Sequence, residues 1–448
     1  CFVASLSKSP GWRPTFRHYN KWVSLVGAVV STGLMLWLDL MMGFLTLLIA
    51  TLCFFYVDRN VPYKSWGSAS EGFLYVHSLD IIETISRHET HVKNWRPQFL
   101  VLSGLPEERP HLVKLAYTLR KGRGLTMFGN VILGSLAEHA EERRRLNESG
   151  DYYLRARRLH AFMRTVTAGS LREGVRSLLQ ASGIGIMTPN TVLLGWMKSW
   201  ATADVELVDD YVGTVGDAFD CGCGVVIVRD EQHRLPEFGA EAPQPRKGLA
   251  RAVSRRRYSD IDEIRVEVAN AAEEGSSVTI DVWWLVDDGG LTVLLAHILR
   301  LSHRYRHCQL RIMAEPGTGS VEEQHAHLAQ VTVDMERMMK QFRISATVVP
   351  VEPNIPDEDV DRLYAGLVER GVDIEEGVRT QTRNFIRTGL RIKKYSKHTK
   401  FAVVSIPVPR VDVNGRLYMA WLDTLSGQTE TPVLLVRGNQ QSVLTFDS

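Results

Sequence analysis

Two short loops hold the residues best placed for ligand chemistry. Ser103-Gly104 follows the apolar run Gln98-Phe99-Leu100-Val101-Leu102, and Asp287-Asp288-Gly289-Gly290 follows Val278 to Val286. If these runs are parallel strands, ligands sit beyond their carboxyl ends, where glycines let backbone amides approach a phosphate at the next helix's N-terminus. Neither loop carries GxGxxG and no GxxxxGK[ST] occurs in the chain, so the glycines read first as tight turns needing positive φ. Asp287 and Asp288 would also repel phosphate unless a metal intervened.

Other reactive groups lack the company their chemistry needs. His88 and His91 are spaced for one helix face, but no HExxH surrounds them, and Cys221-Gly-Cys223 is one residue short of CxxC. With no third ligand or second cysteine pair the chain reads as holding no metal, and with no GxSxG elbow it reads as no enzyme. Arg256-Arg257-Tyr258-Ser259 is an arrangement a basophilic kinase reads, and phosphate on Ser259 would set roughly two negative charges beside the arginines. A solvated basic linker is the alternative there.

The elements that must carry these residues begin with two apolar runs, Trp22 to Leu38 and Leu40 to Val57, each near the roughly 20 residues a helix needs to span a bilayer. Asp39 between them marks a very short loop, which makes a hairpin. Arg13, Arg17 and Lys21 precede it and Arg59 and Lys64 follow, so the positive-inside rule places both flanks, and the long remainder, in the cytoplasm. The chain opens on Cys rather than Met, which reads as a piece of a longer protein.

The whole chain is 44% hydrophobic and 23% charged, with a formal charge of +2, which argues for a folded body and against a nucleic-acid partner. The five cysteines are scattered, as reduced thiols are. Residues 58–95 read as a connecting helix. Residues 96–229 form a first lobe, with strands at Gln98–Leu102, Leu125–Gly129, Asn190–Gly195 and Gly224–Val228 and helices at Pro110–Leu119, Glu138–Arg164, Leu171–Ala181 and Val205–Phe219. Residues 230–275, rich in proline and arginine, read as a mobile basic linker. Residues 276–448 repeat the pattern, with strands at Val278–Val286, Gln309–Ala314, Ile344–Val351, Phe401–Ile406 and Pro432–Val436 and helices at Leu291–Leu301, Glu322–Phe342, Asp357–Arg370 and Leu417–Ser426. Continuous apolar strands alternating with helices predict an α/β fold, each lobe a mostly parallel sheet covered on both faces.

Pro10-Gly11-Trp12-Arg13-Pro14 with Tyr19-Asn20-Lys21-Trp22-Val23-Ser24-Leu25 resembles the entry to the last two membrane helices of the cation-chloride cotransporters. The resemblance continues through His91-Val92-Lys93-Asn94-Trp95-Arg96-Pro97-Gln98, Met187-Thr188-Pro189-Asn190-Thr191, Ile280-Asp281-Val282-Trp283-Trp284 and Tyr418-Met419-Ala420-Trp421-Leu422, in the family's order. The ending from Leu434 to Ser448 is similar to the sodium-dependent branch, with Asp447 a departure where an aromatic is common. The resemblance implies electroneutral symport of sodium and chloride, with potassium left open, by a multi-pass plasma-membrane carrier whose ion sites lie in earlier helices, so that no ion-binding residue falls in this chain. It makes residues 1–19 a cytoplasmic loop and 20–57 the last two membrane helices. It further implies a homodimer, regulatory kinases, contact with membrane lipid, and a regulatory nucleotide in the first lobe, for which Ser103 and Gly104 are the candidate residues. Two rivals remain: a self-contained membrane-anchored nucleotide-sensing or interaction protein, and a dinucleotide-dependent oxidoreductase, which the lack of GxGxxG disfavours.

Overall fold

The computed structural model describes residues 2–6, 18–60, 69–88, 91–120, 124–235, 278–317, 321–352, 354–409, 413–427 and 429–444. They fall in two compact units, one of Cys1–Glu89 with Ile184–Ile186, the other of Thr90–Gly183 with Met187–Ser448. The linker reading and Ser259 lie outside the described residues.

The first unit is helical: α1 (Phe2–Leu6), α2 (Lys21–Leu38), α3 (Leu40–Asn60) and α4 (Ala69–Ser86). Asn20 starts α2 by accepting the N–H of Trp22 at 2.9 Å. Asp39 is the whole loop between α2 and α3, and its Oδ1 accepts the N–H groups of Met41 and Met42 at 3.0 and 3.1 Å. Asp39 is therefore the N-cap of the second helix. Gly43 lets the two helices meet closely, since a Cβ there would stand 2.9 Å from a Leu36 methyl. Both helices are long and apolar enough to cross a membrane, with mean hydropathy 1.5 and 2.3, and they turn their apolar side chains outward, Trp37 at 88% exposure. In water that surface would be very unfavourable; in lipid it is the expected one.

The second unit is built on ten strands: β1 (Phe99–Leu102), β2 (Thr126–Leu133), β3 (Phe162–Ala168), β4 (Thr191–Gly195), β5 (Gly224–Arg229), β6 (Thr279–Trp283), β7 (Gln309–Ala314), β8 (Thr347–Pro350), β9 (Phe401–Ser405) and β10 (Val433–Arg437). They form one sheet in the order β3-β2-β1-β4-β5-β10-β9-β6-β7-β8. Each half is parallel throughout, and the halves join edge to edge at the antiparallel pair β5·β10. Outward from the seam the two halves read β5-β4-β1-β2-β3 and β10-β9-β6-β7-β8, the same order twice. The two mostly parallel lobes expected from the sequence are thus halves of a single sheet.

Helices follow the same double winding in both halves. On one face lie α5 (Pro110–Leu119), α6 (Leu136–Ala156), α9 (Leu291–Leu301) and α10 (Val321–Gln341). On the other lie α7 (Leu171–Ala181), α8 (Val205–Asp220), α11 (Asp357–Glu369), α12 (Arg379–Tyr395) and α13 (Gly415–Ser426). Strand residues alternate between the faces, as period-two side chains must: Val226, Val228, Leu434 and Val436 join the first core, Val225, Ile227, Val433 and Leu435 the second. Both cores run unbroken across the seam, where α5 meets α9 and α8 meets α13.

Two elements differ from the sequence reading. The helix expected over Glu138–Arg164 ends at Ala156, and Phe162–Ala168 is the edge strand β3. Gly150 allows this return, because a Cβ there would press on the Met163 side chain of β3. The helix α12, not read from the sequence, packs beside α11 where the first half has α7 alone.

Candidate functional site

In the first half the order reverses between β1 and β4, and the crevice beyond their carboxyl ends is where a doubly wound sheet takes a ligand. Ser103 and Gly104 stand there. Ser103 is 1% exposed, and its hydroxyl donates to the Gly104 carbonyl at 3.1 Å. Gly104 has φ +68, a left-handed turn that only glycine makes freely, and the Glu108 carboxylate lies 3.5 Å from where a Cβ would be. Three residues that the sequence reading passed over complete the crevice. Gly195 ends β4, its carbonyl accepts the Tyr211 hydroxyl at 2.9 Å, and the Arg109 guanidinium comes within 3.5 Å of its missing Cβ position. Burial pushes the Tyr211 hydroxyl far up, against the pull of Arg109, so it stays a neutral donor. Their signal was a glycine closing an apolar run and an arginine directly before the proline that opens α5.

The arrangement offers a phosphate one cation and opposes it with one carboxylate. Ser103 spends its proton internally. Nothing in the loop forms a ring of converging amides, so its geometry is that of a tight turn beside a small crevice.

The matching crevice of the second half is filled by the chain itself. Ser405, at the end of β9, accepts the N–H groups of Leu285 and Val286 at 2.7 and 3.0 Å. Asp288 is buried and caps α9, accepting from Gly290 N, Thr292 N and the Thr292 hydroxyl at 3.1, 3.0 and 2.6 Å. Burial raises its pKa despite those bonds. Over this loop lies the end of the described chain: Val443 N donates to Gly289 O at 2.9 Å, and a Cβ on Gly289 would overlap the Gln441 carbonyl. Because the seam is antiparallel, the two crevices open at opposite ends of the sheet, and no single ligand can bridge them.

Charged clusters elsewhere tie elements together. Arg172 and Arg176 of α7 clamp Asp217 of α8 with four bonds of 2.7 to 3.0 Å. Burial pushes the Asp217 carboxyl up, but the two guanidiniums outweigh it and hold it below the ordinary range. Across the seam, Arg229 of β5 donates to Asp423 at 2.7 Å and Ser426 at 2.9 Å of α13, and stacks 4.6 Å from the Trp196 ring. Asp281, fully buried, takes Arg311 at 2.8 and 2.7 Å and the Ser396 hydroxyl at 2.7 Å.

Cys221 and Cys223 are free thiols, and burial pushes Cys223 up to about 11, away from the thiolate that redox or metal chemistry requires. His91 is used locally, its Nδ1 accepting from Lys93 N at 3.1 Å. Among the described residues no group of three or more His, Cys, Asp or Glu is placed to hold a metal.

Comparison with known proteins gives a consistent pattern. The model for "Solute carrier family 12" matches residues 109–236 and 241–448, and that for "Amino acid permease" matches residues 1–101. The chain is 31% identical over 522 residues to mouse solute carrier family 12 member 1, covering 100% of this chain and 47% of that protein. It is 32% identical over 521 residues to human member 2, covering 100% and 43%, and 31% identical over 482 residues to mouse member 3, covering 100% and 45%. The chain thus spans less than half the length of these curated relatives. A crystal structure of the cytoplasmic domain of a prokaryotic cation chloride cotransporter overlaps 78% of this chain and 99% of its own at TM-score 0.42 and 10% identity.

Proposed function

We propose that this chain, which belongs to solute carrier family 12, is the carboxyl-terminal portion of a sodium-dependent chloride symporter, with the α/β body as its cytosolic regulatory and dimerising part. The family is one of membrane transporters, and the two outward-apolar helices suit that setting. The observation that carries the reading is continuity: similarity to members 1, 2 and 3 runs through the hairpin and the α/β body alike, without a gap at either end of this chain. In this reading α2 and α3 are the last two spans of a multi-pass plasma-membrane protein, and both their flanks are cytoplasmic.

The ion path belongs to helices outside this chain, so its own residues supply assembly and control. A homodimer, phosphorylation at Ser259 and a nucleotide beside Ser103 and Gly104 are parts of the same proposal. Arg109 and the side-chain-free end of β4 at Gly195 support the nucleotide, while Glu108 opposes it. Titration of the full chain with ATP, with Gly104→Val as the control, decides it: saturable binding lost in the variant is expected, and no binding removes the nucleotide from the proposal.

Uptake of sodium and rubidium by the full-length protein in cells tests the transport reading. Sodium uptake that requires external chloride is expected, and rubidium uptake reports whether potassium travels too. Rubidium flux that is independent of sodium would overturn the branch.

A further inference from the structure

In a doubly wound sheet a ligand sits beyond the carboxyl ends of the strands where their order reverses, and in the second half that point lies between β6 and β9. There residues 438–444 lie over the loop that leaves β6, and the two are cut to fit each other. Gly289 and Gly290 stand in the left-handed region, at φ +74 and +89, and each lacks a Cβ that the segment would meet. On Gly289 it would overlap the Gln441 carbonyl, and on Gly290 it would stand 2.8 Å from a Leu444 methyl. The segment returns the fit at Gly438, where a Cβ would overlap the Asp288 carbonyl. Side chains are missing from both partners wherever their backbones approach, as a site for an extended peptide requires.

The segment is held at its two ends and little between. At one end the Gly438 N–H donates to the Asp288 carboxylate and the Asn439 side-chain amide to the Gly222 carbonyl. At the other, Val443 N donates to Gly289 O at 2.9 Å, the Val443 side chain is buried, and Leu444 packs against the same core. Between them Gln440, Gln441 and Ser442 are exposed, and the Gln441 N–H is satisfied inside the segment by Asn439 at 3.2 Å. Gln440 sits at φ +67, a region that a residue with a Cβ enters at a cost. Val433–Arg437, directly before, is buried throughout and paired with a strand on either side. A segment with so few bonds beside a strand bonded along its length opens first.

We infer that the second crevice is a binding site for an extended peptide, with residues 438–444 as its resident occupant, and that this occupant detaches while the sheet stays folded. The site selects a glycine that can pass Asp288 and a pair of aliphatic side chains that can cover Gly289 and Gly290. Native-state hydrogen exchange on the full chain in lipid nanodiscs tests detachment without any variant. The Val443 amide is expected to exchange through a local opening, about a hundredfold or more faster than the slowest amides of β10 and with little denaturant dependence. Exchange of Val443 at the rate and denaturant dependence of β10 would overturn the proposal. A chain ending at Arg437 tests the site itself, with a fluorescent peptide of residues 438–444 as the probe. Saturable binding is expected there, with binding about a hundredfold weaker to the full chain, whose own segment competes at high effective concentration. The peptide carrying Val443→Asp with Leu444→Asp is expected not to bind. Equal binding to the two chains, or binding of the doubly substituted peptide, would place the probe outside this crevice and contradict the assignment. So would an absence of binding to the shortened chain while its β6 and β9 amides remain protected.

Discussion

The two halves of the sheet repeat one strand order but solve two problems differently. At the topological reversal, the first half ends β4 on Gly195 and leaves a crevice, whereas the second ends β9 on Ser405 and covers its loop with the chain's own terminal segment. Inside the sheet, the register pair Leu100·Met127 of β1·β2 has as its counterpart Asp281·Arg311 of β6·β7. One half is held there by apolar contact and the other by an ion pair whose carboxylate is fully buried. Repetition of a fold therefore does not repeat its loops: the first half turns on Gly104 beside Arg109 and Glu108, and the second is covered by the chain itself.

The largest test of this contrast is to break the buried pair. Asp281→Ala removes the acceptor of two charge-assisted bonds from Arg311 and of the buried Ser396 hydroxyl, and is expected to cost about 3–5 kcal/mol of unfolding free energy in thermal or denaturant melts. The double change Asp281→Leu with Arg311→Met installs the solution of the first half and should recover most of that loss. If the double variant is as unstable as the single one, the halves are not interchangeable in this way.

Next in size is the pair of turn glycines. Gly289→Ala combines left-handed strain at φ +74 with overlap on Gln441, and is expected to cost about 3 kcal/mol and to expose residues 438–444 to protease. Gly104→Ala has φ +68 and meets Glu108 and Asn130 only at ordinary contact distances of 3.5 and 3.8 Å, so strain alone should cost about 1 kcal/mol. Equal losses would remove the distinction between a sealed loop and a free one.

Two buried carboxylates carry the contrast into pH. The Asp217 carboxyl is held low in the fold, so its contribution is present above the ordinary carboxylate range and is lost as pH falls through its depressed pKa. Asp217→Asn should cost about 2 kcal/mol at neutral pH and converge with the parent in acid. Asp288 has the opposite sign. Its raised pKa means that stability declines as pH rises from the ordinary range to that pKa, and Asp288→Asn should flatten this segment of the profile. Melts recorded from pH 3 to pH 7, roughly spanning carboxylate titration, check both.

Much of this architecture is legible in the chain because buried parallel strands are continuous apolar runs. Leu171–Ala181, Leu291–Leu301 and Gln309–Ala314 occupy the spans their patterns indicate. The edge strand β3 was hidden because only its first four residues alternate exposed and buried, its last three are all half-buried, and it follows a charged helix. Helix α12 was hidden because its buried side includes Thr382, Thr388, Gly389 and Arg391 beside Ile386 and Ile392. The seam could not be read at all, since pairing β5 with β10 joins segments some two hundred residues apart by backbone bonds that leave no side-chain signature. At the candidate site, the glycine turn was visible, but Gly195, Arg109 and Tyr211 converge only through the strand order.

The central claim is that the seam makes the two halves one body. Native-state hydrogen exchange on the full chain tests it most directly, by following the amides of β1 and β4 against those of β6 and β9 as denaturant rises. A single cooperative unit predicts that the slowest amides of both halves open with one common free energy and one denaturant dependence. Two classes, one for each half with its own opening free energy, would contradict it.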